Sequence, residues 1–260
     1  MICSEPVGKH AVFVHQHFSR AASSYDQAAR LQKQVIINAL NYLPKSPAQH
    51  AAYSCLDIGC GTGNLLNHAS FSNYTGVDLA AGMLQRARCK FPLKNTQFIR
   101  ADAHHLPFKH DSFDLIFSSL VVQWCQLTKV LTEAYRVLKP GGRFLFTSLT
   151  KGTLAELQNA FLAIDQQTHV NQFMSQPALQ QCLQNSKFNI KQLDFVQQQT
   201  DYQNVMALLQ ELKSIGANTV INGQPRNLSR TTLKRLEDNY PKTHGQVLAS
   251  WQLVYCLLEK

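Results

Sequence analysis

The residues best placed to do chemistry sit in the stretch Cys55-Leu-Asp-Ile-Gly-Cys-Gly-Thr-Gly-Asn-Leu65. Cys55, Leu56 and Ile58 read as the end of a buried strand. Gly59, Gly61 and Gly63 bring the backbone round a tight turn where side chains would block a ligand. Asn64, Leu65 and Leu66 then open a helix, whose free N–H groups and positive dipole end suit a phosphate or a carboxylate. The pattern is D-x-G-x-G-x-G, not the G-x-G-x-x-G of a dinucleotide site. Asp57 is expected to point into the crevice, repelling a pyrophosphate and attracting an ammonium. A ligand with an amino group and a carboxylate, such as the methionine end of S-adenosylmethionine, fits this turn better than a nicotinamide dinucleotide.

Further polar residues fall where such a ligand would need them. Asp78 closes the strand-like run Tyr74–Ala80, 21 residues after Asp57. An acidic residue at the end of a second strand hydrogen-bonds vicinal ribose hydroxyls. Leu79 and Met83 are placed to flank an adenine. Asp102, followed by Ala103, ends the run Thr96–Ala103, where it can accept from the exocyclic adenine amine. Ser118, near the end of a fourth strand, is expected at the methionine end. Tyr25 and Gln32 are seven apart and share a helical face with Ala28 and Ala29, a surface suited to closing over a ligand. Gln123 and Trp124, in the loop after the fourth strand, are expected to shape the acceptor side together with Tyr25.

The elements that must position these residues follow from periodicity. Residues 13–43 read as an N-terminal helical cap, most regular from Phe18 to Leu43, with Ser23 or Ser24 capping an internal restart. Pro44 and Pro47 mark a linker. A cofactor-binding core spans 53–150, with strand–helix units through a helix at Asn64–Phe71, another at Ala81–Lys90, a turn at Pro107–Ser112 and a helix at Leu127–Leu138. Lys139-Pro-Gly-Gly142 leads into a strand from Arg143 to Leu149. Two late strands, at about 187–197 and 248–258, complete a sheet. Helical insertions at about 151–186 and 202–242 are expected to roof the crevice as a lid. The whole is an α/β doubly wound, seven-stranded, mostly parallel sheet in one domain over 1–260, with its crevice at the strands' carboxyl ends.

Composition narrows the class. Hydrophobic residues make up 45% of the 260, enough for a full core. Lysine and arginine number 25 against 16 acidic residues, a net charge of +9 that suits an acidic partner. No basic tract marks a nucleic-acid tail. The seven cysteines include no C-x-x-C pair and the ten histidines no H-E-x-x-H. No metal is therefore expected, and the thiols read as reduced in a cytoplasmic protein. His104-His105 reads as loop. No run reaches the roughly 18 apolar residues of a membrane span, and no signal peptide is read at the N-terminus.

The acidic-glycine turn, Asp78, Asp102 and the LKPGG turn resemble class I S-adenosylmethionine-dependent methyltransferases over residues 55–149. FSRAASSYDQAARLQ, SLVVQWCQL, FTSLTKGTLAEL and LKSIGAN extend a closer resemblance over nearly the whole chain, to the malonyl-acyl-carrier-protein methyltransferases of biotin synthesis (the BioC family). That resemblance implies S-adenosylmethionine as methyl donor and the free carboxylate of a malonyl thioester as acceptor, on acyl carrier protein or coenzyme A. A malonyl carboxylate is ionised at pH 7 and needs no general base. Arg226, Arg230, Lys234 and Arg235 are expected to form a basic patch for the acidic carrier, and the enzyme is expected to be a monomer. Methylation of another small molecule, such as a quinone ring carbon or a phenol, stays open. Nucleic-acid substrates fit poorly: Ser118-Ser-Leu-Val replaces the proline-rich loop of adenine methylation, and Cys125 follows Trp124 where a cytosine enzyme has Pro-Cys.

Overall fold

The computed structural model describes residues 7–44, 51–165, 167, 169–217 and 228–260, with side chains in the first helix from His15 onward. The chain opens with α1 (Val7–Ala28) and α2 (Arg30–Leu40). The core follows as β1 (Ser54–Ile58), a 3-10 turn (Asn64–Asn67), β2 (Asn73–Asp78), α3 (Ala81–Lys90), β3 (Thr96–Arg100), β4 (Phe113–Ser119), a second 3-10 turn (Val122–Trp124), α4 (Leu127–Val137) and β5 (Leu138–Leu149). Then come α5 (Ala155–Leu162), α6 (Gln176–Gln184), β6 (Asn189–Tyr202), α7 (Val205–Ser214), α8 (Arg230–Asn239), β7 (Lys242–Thr243) and β8 (Gln246–Glu259).

The sheet runs β3-β2-β1-β4-β5-β8-β6, with the two-residue β7 added alongside β8. β3 through β5 pair in parallel, and β8 pairs antiparallel to both β5 and β6. The seven-stranded path matches the expected architecture; β7 makes eight. The central strands are buried on both faces, which is why they read as nearly continuous apolar runs. Alternate residues feed two cores. Leu56, Ile58, Ile116, Phe144 and Phe146 meet α4 and α6 on one face. Cys55, Leu115, Phe117 and Leu145 meet α2, α5 and α7 on the other. Within α4, Val130, Leu131, Ala134 and Val137 are all buried, a one-sided stripe at helical spacing.

The local elements depart from expectation in three places. The first helical run breaks at Ala29 (φ −78°, ψ 54°), and Ser24 caps nothing: its hydroxyl donates to the carbonyls of Ala21 and Ser214. The helix expected at Asn64–Phe71 is a single 3-10 turn, because Asn67 and the polar residues after it favour local bonds over helix, as in Asn67 Nδ2 to Asn64 Oδ1 at 3.1 Å. Between β3 and β4 the described chain makes turns, as expected at Pro107–Ser112. The third departure concerns the roof. Among the described residues, neither insertion contributes to the crevice lining; α1 covers it, backed by α7, with Gly216 packed against the backbone of Phe18. No helix among the described residues is long and apolar enough to cross a membrane.

Candidate active site

A cleft of about 910 Å³, counted to its open mouth, lies at the carboxyl ends of β1 to β4. The floor is the glycine turn. Gly61 has φ +54°, and a Cβ built on it meets nothing within 4 Å, so that space faces the cleft. Gly59 (φ +70°) also lines the cleft, but its missing side chain is explained by Val121, into which a Cβ would run. Gly63 does not line the cleft: its Cβ would lie 3.0 Å from the Phe91 ring, so it serves packing and not ligand access.

The three aspartates differ sharply. Asp78 lines the cleft, with Oδ2 accepting from Gly61 N–H at 3.0 Å and Oδ1 from Ala80 N–H at 2.7 Å. A carboxylate has about four lone-pair sites, so these bonds fix its orientation and leave sites for further donors. Burial pushes its pKa up, against the pull of those N–H groups. Asp102 also lines the cleft. Its Oδ1 accepts from His104 N–H at 2.9 Å and lies 2.7 Å from His104 Nδ1, and this imidazole holds the carboxyl below its ordinary pKa. Asp57 contradicts expectation. It is 3% exposed, faces away from the cleft, and accepts the Tyr74 hydroxyl at 2.6 Å. Burial raises its pKa to about 7, opposed by the Tyr74 bond and assisted by Asp78. It sits one residue inside β1, on the face opposite Leu56 and Ile58, which turns it under β2 and not toward the ligand.

The serines after β4 exchange roles. Ser118 is fully buried and donates to the Ile58 carbonyl at 2.9 Å, stitching β4 to the end of β1. Ser119 reaches the cleft in its place, beside Leu120, which takes a left-handed φ of +55°. Leu79, Met83 and Ala103 line the cleft as expected. Gln123 does not: its amide donates to the Leu120 carbonyl at 2.8 Å and accepts from Ser148 at 3.3 Å, which holds the loop's shape. Trp124 does line it, edge-on to Phe18 with ring centroids 6.0 Å apart.

Tyr25 projects into the cleft from α1, and among the described residues its hydroxyl makes no hydrogen bond. Burial, with the charges of Asp78, Asp26 and Asp57, pushes its pKa well above the ordinary tyrosine value, so it remains a donor at neutral pH. Gln32 is absent from the lining, yet among the described residues its Oε1 is a buried acceptor without a partner. The helix bearing Tyr25 is pinned on both sides of it. Asp26 takes the Thr62 hydroxyl at 2.6 Å and pairs with Lys90 at 3.3 Å, while Ser19 Oγ accepts Gly82 N–H at 2.8 Å. His15, Phe18, His104, Val121 and Cys125 also line the cleft and were not expected there from the sequence. An F-x6-Y spacing on one amphipathic face could have flagged Phe18; the rest carry no local signal. Burial pushes the Cys125 thiol up to about 12, which leaves it a neutral wall and no nucleophile. Arg230, Lys234 and Arg235 are exposed on α8 and lie apart from the cleft lining, and Arg226 falls outside the described residues.

These features test whether S-adenosylmethionine fits. An open Gly61 face, a pre-oriented Asp78 and, among the described residues, a partnerless Asp102 Oδ2 and Tyr25 hydroxyl are groups of the kinds that its amino acid, ribose and adenine could use. The sheet order, with this cleft at the carboxyl ends, is that of a class I methyltransferase. A family model described as a methyltransferase domain matches residues 56–146. An S-adenosylmethionine-dependent methyltransferase from Mesorhizobium loti has the same fold, with a TM-score of 0.51 at 18% identity, covering 86% of this chain and 96% of that one. The full-length relatives are more specific: the chain belongs to the malonyl-[acyl-carrier protein] O-methyltransferase family. It is 37% identical over 256 residues to the Methylococcus capsulatus protein of that name, covering 94% of this chain and 91% of that one. It is 36% identical to the bifunctional biotin biosynthesis protein BioHC of Cellvibrio japonicus, covering 95% of this chain and 50% of that one.

Proposed function

We propose that this chain transfers a methyl group to the free carboxylate of a malonyl thioester on acyl carrier protein, giving the methyl ester at an early step toward the pimeloyl part of biotin. Family membership carries the assignment of the acceptor. The single structural observation that supports it is the pairing of an unpartnered, protonated Tyr25 hydroxyl with a cleft whose buried histidine is already committed. His104 Nε2 already accepts Gln126 N–H, and Nδ1 lies 2.7 Å from Asp102, so the ring is not free as a base. A carboxylate acceptor needs none, being ionised at neutral pH.

Bound S-adenosylmethionine would supply an electrophilic sulfonium methyl. In this reading Asp78 accepts the ribose hydroxyls and Asp102, beside Ala103, the adenine amine, with Leu79 and Met83 against the ring. The Gly59–Gly61 turn holds the amino-acid end. Tyr25 donates to the acceptor carboxylate and fixes its approach, while Phe18 and Trp124 keep water out. Alignment and dehydration of a carboxylate nucleophile then lower the barrier. Arg230, Lys234 and Arg235, with Arg226, receive the acidic carrier. The reading includes a monomer working in the reducing cytoplasm.

Purified protein given S-adenosylmethionine with malonyl-acyl carrier protein, and separately with malonyl-coenzyme A, should add one methyl to the malonyl group by mass spectrometry. Asp78→Ala should abolish the product. Methyl transfer to a quinone or phenol in its place would move the assignment to another small-molecule acceptor.

A further inference from the structure

We propose that His104 is a positioning residue that sets the adenine-side carboxylate and couples it to the loop carrying Trp124. The inference rests on the reading of Asp102 as the acceptor for the adenine amine. The ring is 7% exposed and forms part of the cleft wall. Its Nε2 accepts the backbone N–H of Gln126 at 2.9 Å. An imidazole nitrogen that accepts carries no proton, so the ring proton lies on Nδ1, 2.7 Å from Asp102 Oδ1. His104 N–H reaches the same oxygen at 2.9 Å, and the turn is closed by His105 N–H on the Asp102 carbonyl at 3.0 Å. Oδ1 thus takes one hydrogen bond, from the backbone, and has Nδ1 packed against it at ion-pair distance without hydrogen-bond alignment. Among the described residues Oδ2 takes no hydrogen bond, and it is the atom left to face an incoming donor.

The other end of the ring has a separate role. Gln126 is the N-cap residue of α4 and offers no side-chain cap. Its N–H is held by His104, which fixes where the chain leaves Trp124 and Cys125. One ring, accepting from Gln126 on one side and set against Asp102 on the other, therefore spans the cofactor side and the acceptor side of the cleft. An imidazole that orients a functional carboxylate through one nitrogen and a backbone group through the other acts as an outer support of the site.

The two nitrogens can be separated by substitution. An asparagine amide overlays Nδ1 and keeps an N–H group in contact with Asp102; a glutamine carbonyl overlays Nε2 and keeps the acceptor for Gln126. Binding of S-adenosylhomocysteine by calorimetry and the KM for malonyl-acyl carrier protein should then move in opposite ways. His104→Asn should hold the cofactor-product affinity within about threefold and raise the acceptor KM about tenfold. His104→Gln should weaken S-adenosylhomocysteine about tenfold with the acceptor KM little changed, and His104→Leu should do both, since bonds to charged or buried groups are worth about that factor. A general packing defect would move both quantities together in Asn and Gln and would overturn the proposal. Asp102→Asn separates the two layers. If it leaves S-adenosylhomocysteine affinity unchanged, the adenine assignment falls and the proposal with it. If it weakens binding while the His104 variants fail to split, only the role of His104 is overturned.

Discussion

Asp57→Asn should change the pH dependence of stability in a direction fixed by the structure. The carboxyl is buried between β1 and β2 and is held by the Tyr74 hydroxyl at 2.6 Å, and burial raises its pKa from 3.8 to about 7. A group whose folded pKa is raised binds its proton more tightly in the native state. Its stabilising contribution is therefore complete below the unfolded value and is lost as pH climbs through the folded one. Between pH 6 and pH 8 the loss amounts to about 1.4 kcal/mol for a folded pKa near 7. Asparagine fits the same space and still accepts from Tyr74 through its carbonyl, but it does not titrate. Urea unfolding of the wild type and the variant at pH 6 and pH 8, in the absence of cofactor, gives the difference of differences. Histidines that titrate in the same range cancel in that comparison. The variant should lack about 1.4 kcal/mol of the wild type's decline and gain on it most at pH 8. Equal declines in the two proteins would refute the assignment of a protonatable Asp57. A steeper decline in the variant would refute the sign.

The remaining predictions separate ligand contacts from packing. Gly61→Ala places a methyl into open cleft space at φ +54°, so S-adenosylhomocysteine affinity should fall at least tenfold with a strain cost of about 1 kcal/mol in folding; equal affinity would show that no ligand approaches there. Gly63→Ala, at a site 3.0 Å from Phe91, should instead lower the melting temperature with the larger loss, of about 1–3 kcal/mol, in stability. Tyr25→Phe removes a hydroxyl without a partner, so thermal stability should stay within about 0.5 kcal/mol while turnover falls about ten- to hundredfold; unchanged turnover would exclude the hydroxyl from the reaction. Ser118→Ala should cost about 1 kcal/mol through its lost bond to the Ile58 carbonyl and leave S-adenosylhomocysteine affinity within twofold.

The parts of the fold legible in the sequence were those with a repeating signal. Apolar β1, β4 and β5, the stripe on α4 and the glycine turn gave a doubly wound, mostly parallel sheet and the end at which its cleft lies. The breaks in that reading are short-range. Ala29 is a strong helix former at which the chain nonetheless turns, so that α1 can cross the cleft while α2 lies on the sheet; the demand is tertiary and leaves no mark in local propensity. Asn64 to Phe71 had apolar leucines at its start, but its asparagines and serines found nearer partners than a helix could offer.

At the cleft, residue type located the right strand ends and could not choose the right face. Ser118 and Ser119 are the same residue one step apart, and in a strand one step reverses the side chain. The first became a strand tie, the second a cleft residue. Asp57 and Asp78 are likewise both aspartates at strand ends, but Asp57 stands one position inside β1 and is claimed by a tyrosine that only the pairing of β1 with β2 brings near. The residues that fix the site's shape are farther still from any local pattern. Asp26 reaches Thr62, Ser19 reaches Gly82 and His104 reaches Gln126. Each is a single polar contact between segments without a shared period, and each holds a wall of the cleft in place. Because α1 is held by the glycine turn and by α3, Tyr25 is delivered by the same contacts that order the cofactor-side loop. A substitution at Asp26 or Ser19 should therefore disturb acceptor and cofactor together, whereas one on the exposed face of α8 should disturb the encounter with a carrier alone.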